Sequence, residues 1–410
     1  MTTPPAGSAS RRKRIWIGVA AALVVVLAPV GVLGVGLMRG WFDSGSVEGT
    51  TEGFQPAEAP KGVADAGSWP EYGFDPQRTR ANPALDLAPP FRRVWEYDAG
   101  SLVEFSPVLG DGRAIMGTNH KLALAVDLRT GRELWRNELA GRIASSPALA
   151  GDLALFTSTR GEVVAFDAAT GRRVWARRLG AAIESSPLVI GDTFFIGTLA
   201  GRVLGMEVKT GRVVWTTDTP GDVKASLAQS GPNVVVGDYS GNVMAFRRSD
   251  GKLVWSRESP GTRTCGAGRF YAGPAVAYGR VFIGNINGRV MALDADTGEV
   301  AWVRVLSDYV YSSAAVADRT VYVGSYNHNF YALDAVTGKV RWSFDAGERI
   351  SGSASVIGDV VYVSTIAHTP SEGRTFMLDA RTGKRLATFP DGRYSPAVAV
   401  DDLLVLTGVR

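Results

Sequence analysis

From about residue 100 onward, apolar residues come in short alternating bursts and not at helical spacing. A representative stretch is VYVGSYNHNFYALDA (321–335), in which apolar and polar positions alternate, pause at a polar turn and alternate again. That period of two predicts two short strands joined by a tight connection. A small-residue strand start comes before such pairs, as in SSPALA (145–150), SSPLVI (185–190) and SSAAVA (312–317). The alternation is absent at the N-terminus, where Ile15–Met38 is a run of 24 residues without a charge.

The bursts recur at a fixed spacing. Tryptophans stand at 95, 135, 175, 215 and 255, then at 302 and 342, so the step is 40 residues apart from one insertion around Gly261–Arg269. The same text surrounds them: DLRTGRELW (127–135), DAATGRRVW (167–175), DADTGEVAW (294–302) and DAVTGKVRW (334–342). EVKTGRVVW (207–215) and RRSDGKLVW (247–255) drift from it, and DARTGKRLA (379–387) has Ala387 in place of the indole. The Asp can accept backbone N–H groups in the turn and the Gly supplies a positive φ, which closes a hairpin. Each repeat therefore reads as four short strands, the unit of a propeller blade. One such sheet cannot bury both faces, so neighbours must stack radially and close on themselves. Trp95, Trp135, Trp175, Trp215, Trp255, Trp302 and Trp342 are the expected wedges between blades.

Seven repeats run from about Val103 to Phe389. FRRVWEY (91–97) reads as an orphan fourth strand, and YSPAVAVDDLLVLTGVR (394–410) as a first and second strand. Joined, these ends give an eighth blade that is one strand short. The expected fold is an all-β, eight-bladed β-propeller, with seven blades plus a partial cap as the alternative.

Composition and charge change the picture mainly at the N-terminus. The pI of about 9.1 reflects Arg11, Arg12, Lys13, Arg14 and Arg39, with no acid before Asp43; the remainder carries 39 basic against 40 acidic residues. A basic face for nucleic acid is therefore not expected. The apolar run is long enough to cross a bilayer, and the basic cluster before it places the N-terminus in the cytoplasm. The expected organisation is a cytoplasmic stub (1–14), a single-pass transmembrane signal anchor (15–38), a flexible stalk (39–68) and an extracytoplasmic propeller (69–410). A cleaved signal peptide is the alternative to the anchor. Cys265 is the only cysteine, so no intrachain disulfide can form.

The pattern A-x-D-x-x-T-G-x-x-x-W, fullest at Ala165–Trp175, Ala292–Trp302 and Ala332–Trp342, resembles the tryptophan-docking repeat of the PQQ-like (quinoprotein-type) β-propellers. The lead-in WPEYGFDPQRTRANP (69–83) resembles the segment that precedes the first blade of quinoprotein propellers. The chain is similar in plan to bacterial single-pass membrane proteins carrying PQQ-binding-like repeats. The resemblance implies the fold strongly and the activity weakly, because the repeat encodes blade packing and not chemistry. Quinoprotein dehydrogenases hold PQQ and calcium on the axis beneath an adjacent cysteine pair, which this sequence cannot form.

No residue is assigned a catalytic role and no metal set is expected. Motifs for a P-loop, a zincin helix and a nucleophile elbow are absent from the sequence. Asp294-Ala-Asp296-Thr-Gly298 is the repeat turn and not a calcium loop. His120, His328 and His368 fall in loops between second and third strands. The candidate site lies where the first strand of each blade opens on the channel: Glu104, Ala144, Glu184, Lys224, Tyr271, Tyr311, Ser351 and Arg393, with Arg142, Asp222, Arg269, Arg349 and Asp391 two residues earlier. These positions vary between repeats whose turn and core residues do not, so the fold does not dictate them. Their mixture of acids, bases and tyrosines suits a polar ligand or a peptide. The expected function is a non-catalytic binding or scaffold module for an envelope protein, peptide or cell-wall polymer, without a cofactor. A PQQ-dependent oxidoreductase of the envelope is the alternative.

Overall fold

The computed structural model describes residues 45–55, 67–87, 89–261, 268–366, 373–390, 392 and 397–408. Residues 1–46 and 47–410 form separate units, and the second holds the repeats. Among the described residues no helix is long and apolar enough to cross a membrane; Ile15–Met38 lies outside them, as do Cys265, His368, Asp391 and Arg393.

Strands and turns account for this unit, and no helix occurs among its described residues. Seven sheets occupy 108–138, 148–178, 188–218, 228–258, 275–305, 315–345 and 355–389, and a two-stranded sheet occupies 398–405. The second sheet shows the plan. Ala148–Ala150, Leu153–Thr157, Glu162–Asp167 and Arg173–Arg178 lie side by side in chain order, all antiparallel. Its third strand is buried up to its last residue, while the fourth exposes Arg173, Val174, Arg177 and Arg178 and buries Trp175. The alternation of the sequence thus resolves into inner strands covered on both faces and an outer strand covered on one.

The indole is what joins one sheet to the next. Each faces a small residue on its own third strand: Ala125, Ala165, Gly205, Ala245, Ala292 or Ala332. A methyl group at Gly205 would come within 2.6 Å of the Trp215 ring. The ring then reaches the turn of the following sheet. Trp135, Trp175 and Trp215 donate their Nε1–H at 2.9 Å to the carbonyls of Ala168, Val208 and Arg248. Trp255, Trp302 and Trp342 do the same to Ala295, Ala335 and Ala380 at 3.0–3.1 Å. The turn glycine beneath the ring is required twice. Gly171 and Gly211 have φ of 70° and 66°, and a Cβ on either would lie 2.6–2.7 Å from the indole above it. The Asp of the turn closes the structure from the other side. Asp167 Oδ1 accepts Thr170 N at 2.9 Å and Thr170 Oγ1 at 2.7 Å, and these bonds hold its carboxylate below the usual range.

The two ends of the repeat array meet. Trp95 donates to Leu128 O at 2.7 Å, so the first sheet receives an indole as the others do. Val398–Val400 lies beside Val108–Gly110, and Ser355 Oγ donates to Ala397 O at 2.5 Å. One expectation is corrected here: residues 91–97 form no ladder. Among the described residues the last sheet has two strands and neither pairs with this segment, which packs through Phe91, Trp95 and Tyr97. Ala387 faces Met377 where the other repeats place an indole against Ala or Gly, and 398–405 has no Thr-Gly turn to receive a ring.

Residues 47–55 depart from the flexible stalk expected over 39–68. Val47 exchanges backbone hydrogen bonds of 2.8 and 2.9 Å with Val303 on the outer edge of the fifth sheet. Phe54 stacks on Tyr278 at 5.4 Å between the Arg280 and Arg319 guanidiniums, and Arg280 donates to the carbonyls of Thr50 and Glu52. An outer strand leaves a row of backbone groups without partners, which an extended segment can take up.

Truncation of an indole removes both its apolar contact and its bond to the next sheet. Trp175→Ala is expected to cost about 3–5 kcal/mol of stability, read as a fall in the urea midpoint at unchanged slope.

Candidate functional site

Where the first strands converge there is room only for small side chains. A belt of serines fills this level. Ser146 N donates to Ser186 Oγ at 3.0 Å and Ser186 N to Ser226 Oγ at 3.0 Å. Gly273 N donates to Ser313 Oγ and Ser313 N to Ser353 Oγ, both at 2.9 Å. Each hydroxyl thus satisfies a buried amide of the neighbouring sheet, one repeat earlier in the chain. These serines are structural acceptors, with no histidine beside them among the described residues.

Each first strand is also the inner edge of its sheet, and its amides need partners where seven sheets crowd together. One segment supplies them. Trp69 exchanges hydrogen bonds with Leu109 on the first sheet, at 2.7 and 2.9 Å. Leu149 N then donates to Pro70 O at 2.8 Å, and Val189 N to Glu71 Oε2 at 3.3 Å. Gln229, Val276, Val316 and Val356 amides donate at 2.7–2.8 Å to the carbonyls of Pro76, Gln77, Thr79 and Arg80. Residues 69–80 therefore touch all seven four-stranded repeats in order. Ala81–Asn82 extends the contact as a parallel strand beside Ser355–Ile357.

Two buried arginines hold this segment, and they differ. Arg78, 1% exposed, donates to Glu71, to Tyr72 O, to Leu227 O at 2.9 Å and to Pro187 O at 2.9 Å. Arg80, also 1% exposed, lies 3.9 Å from the Tyr72 ring centre, and its Nε and Nη2 have no hydrogen-bond partner. Burial pushes the Arg80 guanidinium down, and it pushes the carboxyls of Glu71 and Asp75 up to about 7 and about 6. For Tyr72, burial alone would raise the phenol. Arg80, the Ser313 and Ser353 hydroxyls at 3.3 and 3.4 Å and Arg78 together hold it below the usual tyrosine range.

Tyr72 is the floor of an axial pocket of about 280 Å³. Of the positions singled out in the sequence, Glu104, Arg142, Ala144, Glu184, Lys224, Tyr271, Tyr311 and Ser351 line it. One wall is an ion-pair chain: Glu184 lies 3.2 Å from Arg142 and 2.7 Å from Lys224. Glu104 accepts from Asn119 Nδ2 at 3.3 Å. The opposite wall is tyrosine. Tyr239–Tyr271, Tyr271–Tyr311 and Tyr311–Tyr326 centroids are 4.7, 4.9 and 4.7 Å apart, and Tyr309 stands 5.6 Å from Tyr311. Burial and neighbouring phenols raise Tyr239 and Tyr311, so both remain hydrogen-bond donors.

Arg269 and Arg349 do not line the pocket; they lie over the Tyr239 and Tyr326 rings at 6.0 and 5.6 Å. Asp222 also stands outside, with its carbonyl accepting Tyr239 N at 2.9 Å. His120 and His328 sit exposed in their loops. Sequence reasoning missed Tyr72, Tyr239 and Tyr326. A signal for the last two existed. Asn119, Thr159, Leu199, Tyr239, Ile286, Tyr326 and Ile366 are the same loop position in successive repeats. Each donates its amide to the residue two before the strand opener, which makes a second variable circle around the first. A shallower depression of about 430 Å³, between Arg374, Arg385 and Pro390, gathers none of the variable positions; the axial pocket is the candidate.

Bundles of four-stranded sheets joined by docked indoles define the class as a repeat β-propeller. The family described as outer membrane protein assembly factor BamB matches residues 119–270 and 263–390, and the chain belongs to this family of PQQ-repeat propellers. No curated protein matches it. Similar solved structures include a europium-containing methanol dehydrogenase, 14% identical over 82% of this chain and 87% of that one, with a TM-score of 0.68. BamB from Moraxella catarrhalis is 18% identical over 77% and 94%, with a TM-score of 0.62. Quinohemoprotein alcohol dehydrogenase from Comamonas testosteroni is 16% identical over 82% and 76%, with a TM-score of 0.68. At these identities the likeness is one of fold.

The pocket residues do not fit PQQ with calcium. PQQ is a planar tricarboxylate, whereas the four charged side chains lining the pocket are two acids and two bases, with both bases held by Glu184. Among the described residues no three His, Cys, Asp or Glu side chains converge as a ligand set.

Two measurements address the axial segment. Because folding raises the Glu71 carboxyl from 4.5 to about 7, the folded state binds the extra proton, and stability must fall as pH rises through that interval. Between pH 5 and pH 8 the expected loss from this group is on the order of 2 kcal/mol, and Glu71→Gln should flatten the slope in urea melts. Arg78→Met leaves Glu71 and three carbonyls buried without their donor, a loss of about 3–5 kcal/mol. Arg80→Met removes a charge that lacks two of its partners and should cost distinctly less in the same melts.

Proposed function

We propose that this protein is a non-catalytic binding module of the cell envelope whose ligand enters the axial pocket. In this reading Ile15–Met38 crosses the membrane once, with the N-terminus cytoplasmic and the propeller outside. The wheel has eight blades: the seven four-stranded repeats and an eighth built from 398–405 and the Trp95 segment.

The observation that carries the proposal is a division of labour within the repeat. Turn aspartates, turn glycines, indoles and belt serines recur because packing requires them. Eight of the positions that packing leaves free line one pocket, which is largely polar and partly aromatic. Chance variation on a solvated surface would give no such matched walls of tyrosines and ion pairs. The lining offers binding groups and no paired nucleophile and base, so recognition is the chemistry it supports. Membership of a family described as an assembly factor supports the same direction.

A photoreactive benzoylphenylalanine at position 351, in the full chain expressed in bacterial membranes, tests this. The expected result is a discrete envelope adduct that Lys224→Ala and Tyr271→Ala diminish, and that is absent when the label replaces the exposed Val214 of an outer strand. Identical labelling at both positions, or none at 351, would overturn the reading. Alkaline phosphatase fused after Arg410 is expected to be active; an inactive fusion would overturn the topology.

A further inference from the structure

We infer that the axial pocket receives a neutral sugar ring, the terminal unit of a glycan chain. The inference rests on the binding reading above and names its ligand class. Three features of the pocket converge on it.

The first is the contrast between its walls. A pyranose has two chemically different surfaces: faces of C–H bonds and a rim of hydroxyls. Tyr271 and Tyr311 line one side of the pocket, their rings perpendicular to each other and backed by Tyr239 and Tyr326 at 4.7 Å, with Lys224 Nζ 5.2 Å from the Tyr271 ring, so that side is a tyrosine cluster. Such rings can pack against C–H faces. The other side carries Arg142, Glu184 and Lys224 in one chain, and the floor carries the Tyr72, Ser313 and Ser353 hydroxyls. Donors and acceptors alternate there at the spacing of single hydrogen bonds, which suits vicinal hydroxyls.

The second is charge. The lining has two acids and two bases, and Glu184 already sits 2.7 Å from Lys224 and 3.2 Å from Arg142. An anionic or cationic ligand would have to compete with an existing partner, and its own desolvation would go uncompensated. A neutral hydroxyl adds to the network without displacing a charge.

The third is size and the scarcity of aliphatic side chains. About 280 Å³ is just under the usual range of small-molecule pockets, roughly 300–1,000 Å³. That is room for one ring and not for an extended peptide. Apart from Phe105 and alanines, the lining offers no aliphatic surface on which an apolar side chain could be buried.

The test is saturation-transfer NMR on the full chain in lauryldimethylamine oxide, a detergent without sugar. The probes are maltotriose, cellotriose, mannotriose and chitotriose, with trigalacturonate and trialanine as charged and peptide contrasts. At least one neutral trisaccharide is expected to bind, with saturation strongest on the ring protons of its terminal unit. Tyr271→Ala and Tyr311→Ala should each weaken it roughly 3- to 10-fold. Tyr311→Phe, which keeps the ring, should stay within about twofold, separating the contribution of the ring from that of the hydroxyl. Transfer to none of the four, unchanged transfer in the double alanine variant, or tighter binding of trigalacturonate or trialanine would overturn the inference. Loss of the position-351 adduct on adding the bound trisaccharide supports the sugar and the site together. An adduct that forms while no trisaccharide binds overturns the sugar and leaves the binding reading standing; no adduct at all overturns that reading itself.

Discussion

The innermost strands of a radial array have nowhere to send their outward-facing amides. In this protein each is three residues long and hemmed in by its neighbours. Two devices resolve that constraint. The belt serines bond sideways from sheet to sheet, and the segment 69–80 runs across the axis, offering a carbonyl or carboxylate to one inner strand after another. Because the segment must lie within the channel, it also closes it. A through-going channel becomes a blind pocket, and Tyr72 becomes its floor. The candidate site is a by-product of how the inner edges are satisfied.

The outer half of each sheet depends on a different interaction, one indole passed to the next sheet's turn. Its requirements propagate through the repeat: a small residue opposite the ring, a bulge behind it, and a glycine of positive φ beneath it. The exceptions obey the same logic. At the seventh repeat Ala387 stands where the others have an indole, and Met377 faces it. At the start of the array Trp95 makes the same bond to Leu128 although its backbone joins no ladder. Packing of the ring, and not strand pairing, is what the junction preserves.

Much of the candidate site could be read before folding because repeats act as their own controls. Glu104, Glu184, Lys224, Tyr271 and Tyr311 stood out by differing where neighbouring positions agreed, and all five reach the pocket. Of the residues two positions earlier, Arg142 reaches the wall through its ion pair with Glu184, while Asp222, Arg269 and Arg349 stood out in the same way but lie outside it. Tyr239 and Tyr326 were hidden because they belong to another loop of the repeat. Tyr72 was hidden because the lead-in has no repeat to be compared with. Residues 47–55 carried only the composition of a linker, and nothing local in that text signals that an edge strand far along the chain will accept it.

The sequence by itself determined the unit: four strands, a glycine turn, an indole and the number of times they recur. These are consequences of local periodicity and of residues whose geometry is their own, such as the positive φ of a turn glycine. Only the tertiary structure decided that the axis is sealed, that one wall is aromatic and the other charged, and that Arg78 is fully bonded while Arg80 is not. Those outcomes depend on groups a hundred or more residues apart meeting at one radius, a distance relation that no local pattern encodes.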